Sequence, residues 1–371
     1  MKNFAGKIVF IVGGASGAGL GQAKLFGGLG MKVTIVDVRQ NAIDTALVEL
    51  KGLGIDVVGY QVDVTDKKWY TAIADQSDAH WGGPPHLLIH TAGVNSFGPA
   101  EASTFQDYEW IVGVDLYGPI YSLCIFVPRI LKAYAEDIKA GKTEAHIAFV
   151  SSMGAFDGYS TDAPYSVAKA GLNNLAYSYY DALKPYGIGV TVQCPANINS
   201  NIGEAVKTRP AELANTGYYV SEGTINMLKS IHATGIDPVR LAEALKFAIE
   251  NGLPICVPAY GNDPNGPLTS PLGENTFKKF IQWSSLEGMQ QIEDEAKAAA
   301  AQREEMMKRF AEQRKQQEAD WAKDHPGEEM PPPPSFGGFG GGAPADPSVP
   351  METFGQARPD LDWVRDESRK K

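Results

Sequence analysis

The sequence predicts an α/β protein in which helices cover both faces of a parallel sheet. Short β-rich segments alternate with segments of helical apolar spacing over about the first 260 of the 371 residues. The first β-rich segment, Lys7–Val12, is almost entirely apolar. Apolar runs of this kind are typical of strands buried on both faces, and strand–helix alternation is typical of a doubly wound sheet.

The elements follow one another regularly through this region. The predicted strands are Lys7–Val12, Lys32–Asp37, Asp56–Gln61, Leu87–His90, Ala145–Val150, Ile188–Cys194 and Pro254–Val257. Helical spacing is clearest over Gly19–Leu29, Ala42–Gly52 and Ala168–Leu183. We therefore expect one domain over residues 1–260.

The composition changes after about residue 260. Residues 286–323 have the pattern of one long polar helix with a thin apolar stripe. We expect a helical extension over residues 261–325 that packs on the body or on a partner subunit. From Pro326 to Pro350, 14 of 25 residues are Pro or Gly. Such a segment buries too little apolar area to offset its ordering entropy, so we expect a mobile or surface-draped tail over residues 326–371.

Charge and composition argue against several function classes. A formal net charge of −11 argues against a basic face for nucleic acid. We find no apolar run of about 18 residues and no signal-peptide pattern, so we expect no membrane span. The cysteines, Cys124, Cys194 and Cys256, are far apart and in apolar surroundings. They predict buried thiols in a cytoplasmic protein, with neither disulfides nor a metal site.

A glycine loop follows the first strand directly. Gly13, Gly17 and Gly19 have the spacing GxxxGxG and stand at the start of a helix. Glycines allow a tight turn and let backbone N–H groups approach a pyrophosphate, which the positive end of the helix also attracts. Such loops can serve packing alone, but this position favours dinucleotide binding.

Two aspartates at strand ends are candidates for the adenosine half of a dinucleotide. Asp37 can accept hydrogen bonds from both ribose hydroxyls and repels a 2′-phosphate, which favours NAD over NADP. It could instead be a solvated loop residue, and Arg39 nearby leaves NADP use open. Asp63 could accept a hydrogen bond from the adenine amino group or cap the helix that begins near Asp66.

Three residues indicate a centre for hydride-transfer chemistry. Ser152 ends the fifth strand, and Tyr165 and Lys169 share one helical face at spacing i, i+4. A tyrosine titrates near ~10, but an adjacent ammonium and an oxidised nicotinamide favour the phenolate. A Tyr-x-x-x-Lys pair alone is common on exposed helices. Its combination with Ser152, the glycine loop and the strand order is what predicts chemistry.

These motifs resemble the short-chain dehydrogenase/reductase family over residues 4–258. The resemblance implies a Rossmann-like seven-stranded sheet, hydride exchange between a secondary alcohol and a nicotinamide cofactor, and a homodimer or homotetramer. It implies Ser152, Tyr165, Lys169 and Asp115 as the catalytic set. The implied cofactor contacts are Gly13, Ser16, Gly17, Ala18, Gly19, Asp37, Asp63, Val64, His90, Ala92, Gly93, Tyr165, Lys169, Pro195, Ile198 and Ser200.

Two further segments resemble a narrower group. Residues 91–99 and 195–202 look like the corresponding parts of the bacterial Cα-dehydrogenases, which oxidise the benzylic alcohol of lignin-type β-aryl ethers with NAD. The sequence departs from the family at His90 and Asp115, where the family has asparagine. His90 could hydrogen-bond the cofactor, but we expect a satisfied buried histidine there. In the family that second asparagine supports a water-linked proton path to the lysine. Asp115 would hold Lys169 protonated but weaken its pull on Tyr165. We expect activity to be retained.

The segment after the sixth strand, residues 199–235, is expected to close over the substrate as a lid. It carries Tyr218, and we expect Phe97, Met153 and Tyr159 on the facing wall. Such residues form core more often than pocket, but on a lid they indicate a roomy apolar cleft.

The favoured function is therefore NAD-dependent oxidation of a bulky, aromatic secondary alcohol, with Tyr165 as acid/base. One alternative is an NAD(P)H-dependent reductase of a steroid- or polyketide-like ketone. Another is a cofactor-binding scaffold with vestigial activity, which Asp115 and the C-terminal extension suggest and which Ser152, Tyr165 and Lys169 oppose.

Overall fold

The computed structural model describes residues 1–273, 276, 285–324 and 356–357. The chain divides into two compact units, Met1–Pro271 together with Met351–Lys371, and Leu272–Pro350. The Pro/Gly-rich segment 326–350 lies outside the described residues, and its mobility remains a prediction.

All seven predicted strands are present, and each end lies within one residue of its predicted position. In chain order the described strands are β1 (Ile8–Val12), β2 (Lys32–Asp37), β3 (Val57–Gln61), β4 (Leu87–His90), β5 (His146–Val150), β6 (Gly189–Gln193), β7 (Tyr218–Tyr219), β8 (Ile255–Cys256) and β9 (Gln356–Ala357).

Seven of these strands form one parallel sheet in the order β3-β2-β1-β4-β5-β6-β8. The order reverses between β1 and β4, where Val12 pairs with both Val36 and His90. Such a reversal opens a crevice at the carboxyl ends of the strands. The predicted doubly wound fold class is confirmed.

Helices cover both faces of the sheet. The described helices of the first unit are α1 (Gly17–Gly28), α2 (Gln40–Gly52), α3 (Lys67–Trp81), α4 (Phe105–Val112), α5 (Gly118–Ala133), α6 (Ala135–Lys139), α7 (Ala163–Leu183), α8 (Glu222–Ala233) and α9 (Pro238–Asn251). The second unit contains α10 (Leu286–Asp324). The cluster around Phe10, Phe126 and Leu172 joins one sheet face to α3, α5 and α7. The cluster around Ile11, Phe26 and Leu245 joins the other face to α1, α2 and α9.

Helices α4 and α5 are joined by a π-helical turn at Gly113–Tyr117. Length and composition alone would let Phe105–Ala133 cross a membrane. Its residues Leu123, Phe126 and Ile130 are fully buried against the sheet, however, as in the core helix of a globular domain. No other helix in the described ranges meets that test.

The structure contradicts the prediction of a buried thiol for one of the three cysteines. Cys194 and Cys256 are buried as expected, but Cys124 is exposed. It lies on α5 between Leu123, which is buried in the core, and partly buried Ile125, on the side of the helix turned away from the sheet.

Candidate active site

A cleft of about 720 Å³ opens at the carboxyl ends of the central strands. Its walls come from the loops that follow β1, β2, β3, β4, β5 and β6, together with part of the lid. Ligands bind at this place in open α/β sheets because the loops there diverge from the strand reversal. The volume of the cleft also falls within the range of small-molecule sites.

The glycine loop forms one end of the cleft. Gly13 and Gly17 have φ of +76° and +49°, a region that L side chains rarely adopt. A Cβ at Gly13 would lie 2.6 Å from the backbone nitrogen of Ala92, so only glycine fits there. Helix α1 begins at Gly17, and its N-cap residue Ser16 makes no capping hydrogen bond. Free N–H groups at this helix end suit a pyrophosphate.

Gly19, the third glycine of the motif, packs the helix on the loop and is not the cofactor contact that was predicted. Gly13, Ser16, Gly17 and Ala18 line the cleft, but Gly19 does not. A Cβ at Gly19 would lie 2.0 Å from the carbonyl oxygen of Gly13. Gly19 therefore permits close packing of the helix on the loop.

Asp37 ends β2 at the cleft and is paired with Arg39. The Arg39 Nε lies 3.0 Å from Asp37 Oδ1, and its Nη2 lies 3.2 Å from Oδ2. The same Nη2 donates to the hydroxyl of Ser16 at 2.8 Å. The guanidinium thus ties the carboxylate to the glycine loop.

Asp63 and Val64, which follow β3, also lie on the cleft wall. Asp63 Oδ1 accepts hydrogen bonds from the backbone and hydroxyl of Thr65, at 2.8 and 2.7 Å. Asp66, rather than Asp63, caps α3. The capping alternative for Asp63 is therefore wrong.

Ser152, Tyr165 and Lys169 all line the same part of the cleft. The Lys169 ammonium lies 5.3 Å from the centre of the Tyr165 ring, as expected for neighbours on one face of α7. Lys169 Nζ donates to the carbonyl oxygen of Val150 at 3.2 Å. The Ser152 hydroxyl accepts a hydrogen bond from the Gly154 N–H at 3.0 Å.

Asp115 stands behind this group, fully buried in the π-helical turn. Its Oδ1 accepts a hydrogen bond from the Val94 N–H at 2.8 Å, and its Oδ2 lies 3.1 Å from Lys169 Nζ. Gly93 leaves room for the pair, because a Cβ there would lie 2.9 Å from the carboxylate. Asp115 does not line the cleft, so it positions Lys169 rather than touching a ligand.

The three titratable groups influence one another. Burial lowers the pKa of Lys169, but Asp115 and Tyr165 outweigh it, so the pKa is raised and the lysine stays charged. Burial raises the pKa of Tyr165; Lys169 opposes this rise and Asp115 adds to it. Burial likewise raises the pKa of Asp115, against the pull of Lys169. These residues alone therefore do not lower the pKa of Tyr165. The predicted lowering also needs the positive charge of the oxidised nicotinamide.

His90 is the buried histidine that the sequence favoured, and not the cofactor contact that the family resemblance implied. Its ring is buried in the core and does not line the cleft. Nδ1 lies 2.8 Å from the Ser122 hydroxyl. Burial, helped by Lys169, lowers the pKa of His90 to about 3, so the ring is neutral. His90 is thus a buried, neutral side chain at the end of the central strand β4.

Three predicted substrate residues also lie off the cleft wall. Tyr218 is buried, and its hydroxyl hydrogen-bonds Ser96 and Asp107 while its ring packs over Gly98. Met153 packs against the core cluster, and Tyr159 is about half exposed. Of that set only Phe97 lines the cleft, with the unusual φ of +52°.

The lid, residues 199–235, is fastened by a buried ion pair. Arg209 Nη1 lies 2.5 Å from Asp107 Oδ1, and both side chains are almost fully buried. Asp107 also accepts hydrogen bonds from the hydroxyls of Thr216 and Tyr218, at 3.1 Å each. The Arg209 guanidinium lies 5.2 Å from the ring centre of Trp110, which lines the cleft. We call this group the lid latch.

Comparison with known proteins identifies the family. The sequence model of the family described as short chain dehydrogenase matches residues 7–211. This chain belongs to the short chain dehydrogenase family. It is 46% identical over 258 residues to a C alpha-dehydrogenase of Sphingobium sp. strain SYK-6, an alignment that covers 70% of this chain and 82% of that protein. The resemblance predicted from the motifs is confirmed.

Two solved structures resemble this dehydrogenase. The apo form of LigD from Sphingobium sp. strain SYK-6 is 39% identical with a TM-score of 0.55, over 69% of this chain and 91% of that one. A short chain dehydrogenase/reductase from Burkholderia phymatum in complex with NAD is 26% identical with a TM-score of 0.63, over 69% and 90%. The predicted homo-oligomer and cytoplasmic location remain predictions.

The remaining predicted contacts of this short chain dehydrogenase lie where the sequence suggested. The cleft-lining members are Ala92, Gly93, Pro195, Ile198 and Ser200. The wall residues that sequence reasoning missed include Asn95, Trp110 and Asp162. The available signal for Asp162 was its place three residues before Tyr165, directly before α7. Trp110, on α4, carried no such signal.

Proposed function

We propose that this short chain dehydrogenase oxidises a bulky benzylic secondary alcohol to the ketone with NAD. The observation that carries the proposal is a single cleft with the glycine loop and Asp37 at one end and Ser152, Tyr165 and Lys169 at the other. The 46% identity to a protein named C alpha-dehydrogenase supports the substrate class.

The residues at the cofactor end fit NAD. The loop from Gly13 to Ala18 offers glycine backbone and the start of α1 to a pyrophosphate. Asp37 is placed to accept hydrogen bonds from the adenosine ribose, and Lys169 to reach the nicotinamide ribose. When bound, NAD supplies the acceptor for the hydride that leaves the carbinol carbon.

Tyr165 takes the proton of the alcohol as the base. The Ser152 hydroxyl lowers the pKa of Tyr165 and is placed to hold the substrate oxygen. The Lys169 ammonium, held by Val150 and Asp115, favours the phenolate. The C–H bond of the carbinol breaks as the hydride leaves, its O–H proton moves to the Tyr165 oxygen, and a ketone remains.

The deciding experiment mixes purified protein with NAD and a panel of benzylic secondary alcohols, read at 340 nm. We expect absorbance to rise with NAD and much less with NADP. Tyr165→Phe should lose about 10²- to 10⁴-fold in turnover while still binding NAD, because only the proton-transferring hydroxyl is removed.

The alternatives are outcomes of the same assay. A reductase would convert a steroid- or polyketide-like ketone with NADH or NADPH and leave the alcohols untouched. A scaffold would bind NAD without turnover. Unchanged turnover by Tyr165→Phe would refute the assignment of the base.

A further inference from the structure

The β6 loop, residues 195–200, runs along the cleft from the reacting centre to the glycine loop. At its start, the Pro195 carbonyl accepts a hydrogen bond at 2.9 Å from the N–H of Met153, the residue after the catalytic serine. At its end, Ser200 lies against the glycine loop, where a Cβ at Gly17 would be 3.1 Å from the Ser200 Cβ. A dinucleotide that reaches both ends of the cleft therefore passes along the β6 loop.

The end of the lid is bonded to the middle of the β6 loop. The Ile236 N–H donates to the Asn197 carbonyl at 2.9 Å, and the Asn199 N–H donates to the Ile236 carbonyl at 3.0 Å. Gly235 allows this close approach, because a Cβ there would lie 2.5 Å from the backbone carbonyl carbon of Ile198. The lid thus returns onto the loop from which it begins.

His232, in the last turn of α8, adds a side-chain bond to this junction. Its ring N–H donates to the backbone carbonyl of Ile198. Among the residues that the structure describes, no backbone N–H donates to that carbonyl, so the His232 ring supplies its donor. In the same part of the chain Nδ1 is buried without a partner, which assigns the donating proton to Nε2.

The His232 ring also contacts the opposite wall of the cleft. Ile198 and His232 both line the cleft. The centre of the His232 ring lies 6.3 Å from the centre of the Phe97 ring, with 50° between the two planes. Aromatic rings interact at centroid separations of up to about 7 Å. One side chain of the lid therefore contacts both the β6 loop and the loop that follows β4.

The environment of His232 keeps its ring neutral. Burial lowers the pKa of His232, and the hydrogen bond to Ile198 offsets only part of that effect. A neutral imidazole donates through one nitrogen alone. The bond to the Ile198 carbonyl is therefore a neutral hydrogen bond, and removal of such a bond changes an equilibrium constant by about 2- to 10-fold.

We propose that His232 is a positioning residue that holds the β6 loop through the Ile198 carbonyl, so that the lid fixes the wall along which NAD binds. This inference rests on the proposed use of NAD. His232 acts through Ile198 and touches no reacting atom. With the donor in place, the loop already has its bound shape when NAD enters. Without it, the loop has to be ordered during binding, and the affinity for NAD falls.

Isothermal titration calorimetry of NAD on the purified full chain tests this role. His232→Phe keeps a ring against Phe97 but has no donor, so its affinity for NAD should fall by about 2- to 10-fold. His232→Gln places an amide N–H near the position of Nε2 and should bind NAD as tightly as the wild type. His232→Asn carries the same amide on a shorter side chain, does not reach the Ile198 carbonyl, and should bind as weakly as His232→Phe.

A control variant and a kinetic measurement separate positioning from stability. Ser230→Ala is the matched control, because it removes a 3.0 Å hydrogen bond to the Asn226 carbonyl on the exposed side of α8 and should leave NAD affinity unchanged. His232→Phe should raise KM for NAD and leave kcat at saturating NAD near the wild-type value, since Tyr165 and Lys169 are untouched. A merely structural role would reduce the folded fraction without changing the Kd of the folded protein.

The outcomes distinguish this inference from the proposed function. Wild-type affinity for NAD in His232→Phe would overturn the role of His232 and leave the proposed function standing. Equal weakening in His232→Phe and His232→Gln would also overturn it, because the donor would then not be what holds the loop. Where His232→Phe does not fold, the comparison of His232→Gln with His232→Asn decides. No binding of NAD by the wild type would overturn the proposed function itself.

Discussion

The two ends of the cleft are built in different ways. The cofactor end consists of strand ends and backbone: Gly13 and Gly17 shape it, and Asp37 is the last residue of β2. The substrate end consists of side chains from distant parts of the chain, joined by Asp107 and Arg209, which are 102 residues apart. A backbone site is therefore visible as a motif, whereas a side-chain network is visible only after folding.

A buried ion pair serves each end. Asp115 and Lys169 meet beneath the reacting centre at 3.1 Å, and Asp107 and Arg209 meet beneath the lid at 2.5 Å. Removing one partner of a buried pair is costly because a charge is left without compensation. The first pair holds a catalytic ammonium, and the second holds a segment of chain. Variants that break the first ion pair should therefore impair turnover, and variants that break the second should loosen the lid.

The largest effect is expected for Lys169→Met. Loss of the ammonium should reduce turnover by about 10²- to 10⁴-fold, since the Tyr165 phenolate loses its stabilising charge. It should also weaken NAD binding and lower the free energy of unfolding by about 3–5 kcal/mol, because Asp115 is left buried and unpaired. Urea unfolding of the double variant with Asp115→Asn should recover most of that stability but none of the turnover. Recovered turnover would contradict the role given to Lys169.

Arg209→Met should damage the substrate end alone. We expect the local stability of the lid to fall by about 3–5 kcal/mol, because Asp107 is left buried and unpaired beneath it. The variant should show a raised KM for the alcohol, nearly unchanged NAD affinity and new protease cuts within residues 199–235. Lys229→Met, which removes only an exposed ion pair with Glu204, is the control and should change stability by about 1 kcal/mol or less. Equal weakening of alcohol and NAD binding would show that the latch is not confined to the lid.

Asp37→Ala should change cofactor choice without touching the lid. The preference for NAD over NADP should narrow by about 1–3 kcal/mol, because the ribose loses a charged acceptor. Arg39 is also released from its pair and becomes available to a 2′-phosphate. Fluorescence titration of both cofactors measures the change. Equal turnover with NADP in the unmodified protein would refute the role of Asp37.

Asp115→Asn should have the smallest effect, a displaced pH profile. Burial raises the pKa of Tyr165, Lys169 lowers it and Asp115 raises it. Without the negative charge the pKa of Tyr165 falls, so the rise of kcat/KM with pH should begin at lower pH. An asparagine oxygen can still accept the hydrogen bond from Val94. An unmoved profile would mean that position 115 acts only through that backbone contact.

The sequence by itself determined the sheet and the cofactor end. Apolar strands, a glycine loop and the spacing of Tyr165 and Lys169 are local patterns, and local patterns dictate helices, strands and neighbours on one helix face. The ends of the seven predicted strands differ from the structure by at most one residue. The same local reasoning placed Ser152 just after β5.

Only the tertiary structure decided what the aromatic and charged side chains of the substrate end do. Tyr218 looked like a pocket residue but packs over Gly98 and fastens the lid, because Asp107 and Ser96 reach it from other elements. The sequence left two states open for His90, and the folded chain buries it beside Ser122. Asp162, which sequence reasoning missed, lines the cleft. A side chain's task depends on which distant groups surround it, and that surrounding exists only once the chain has folded.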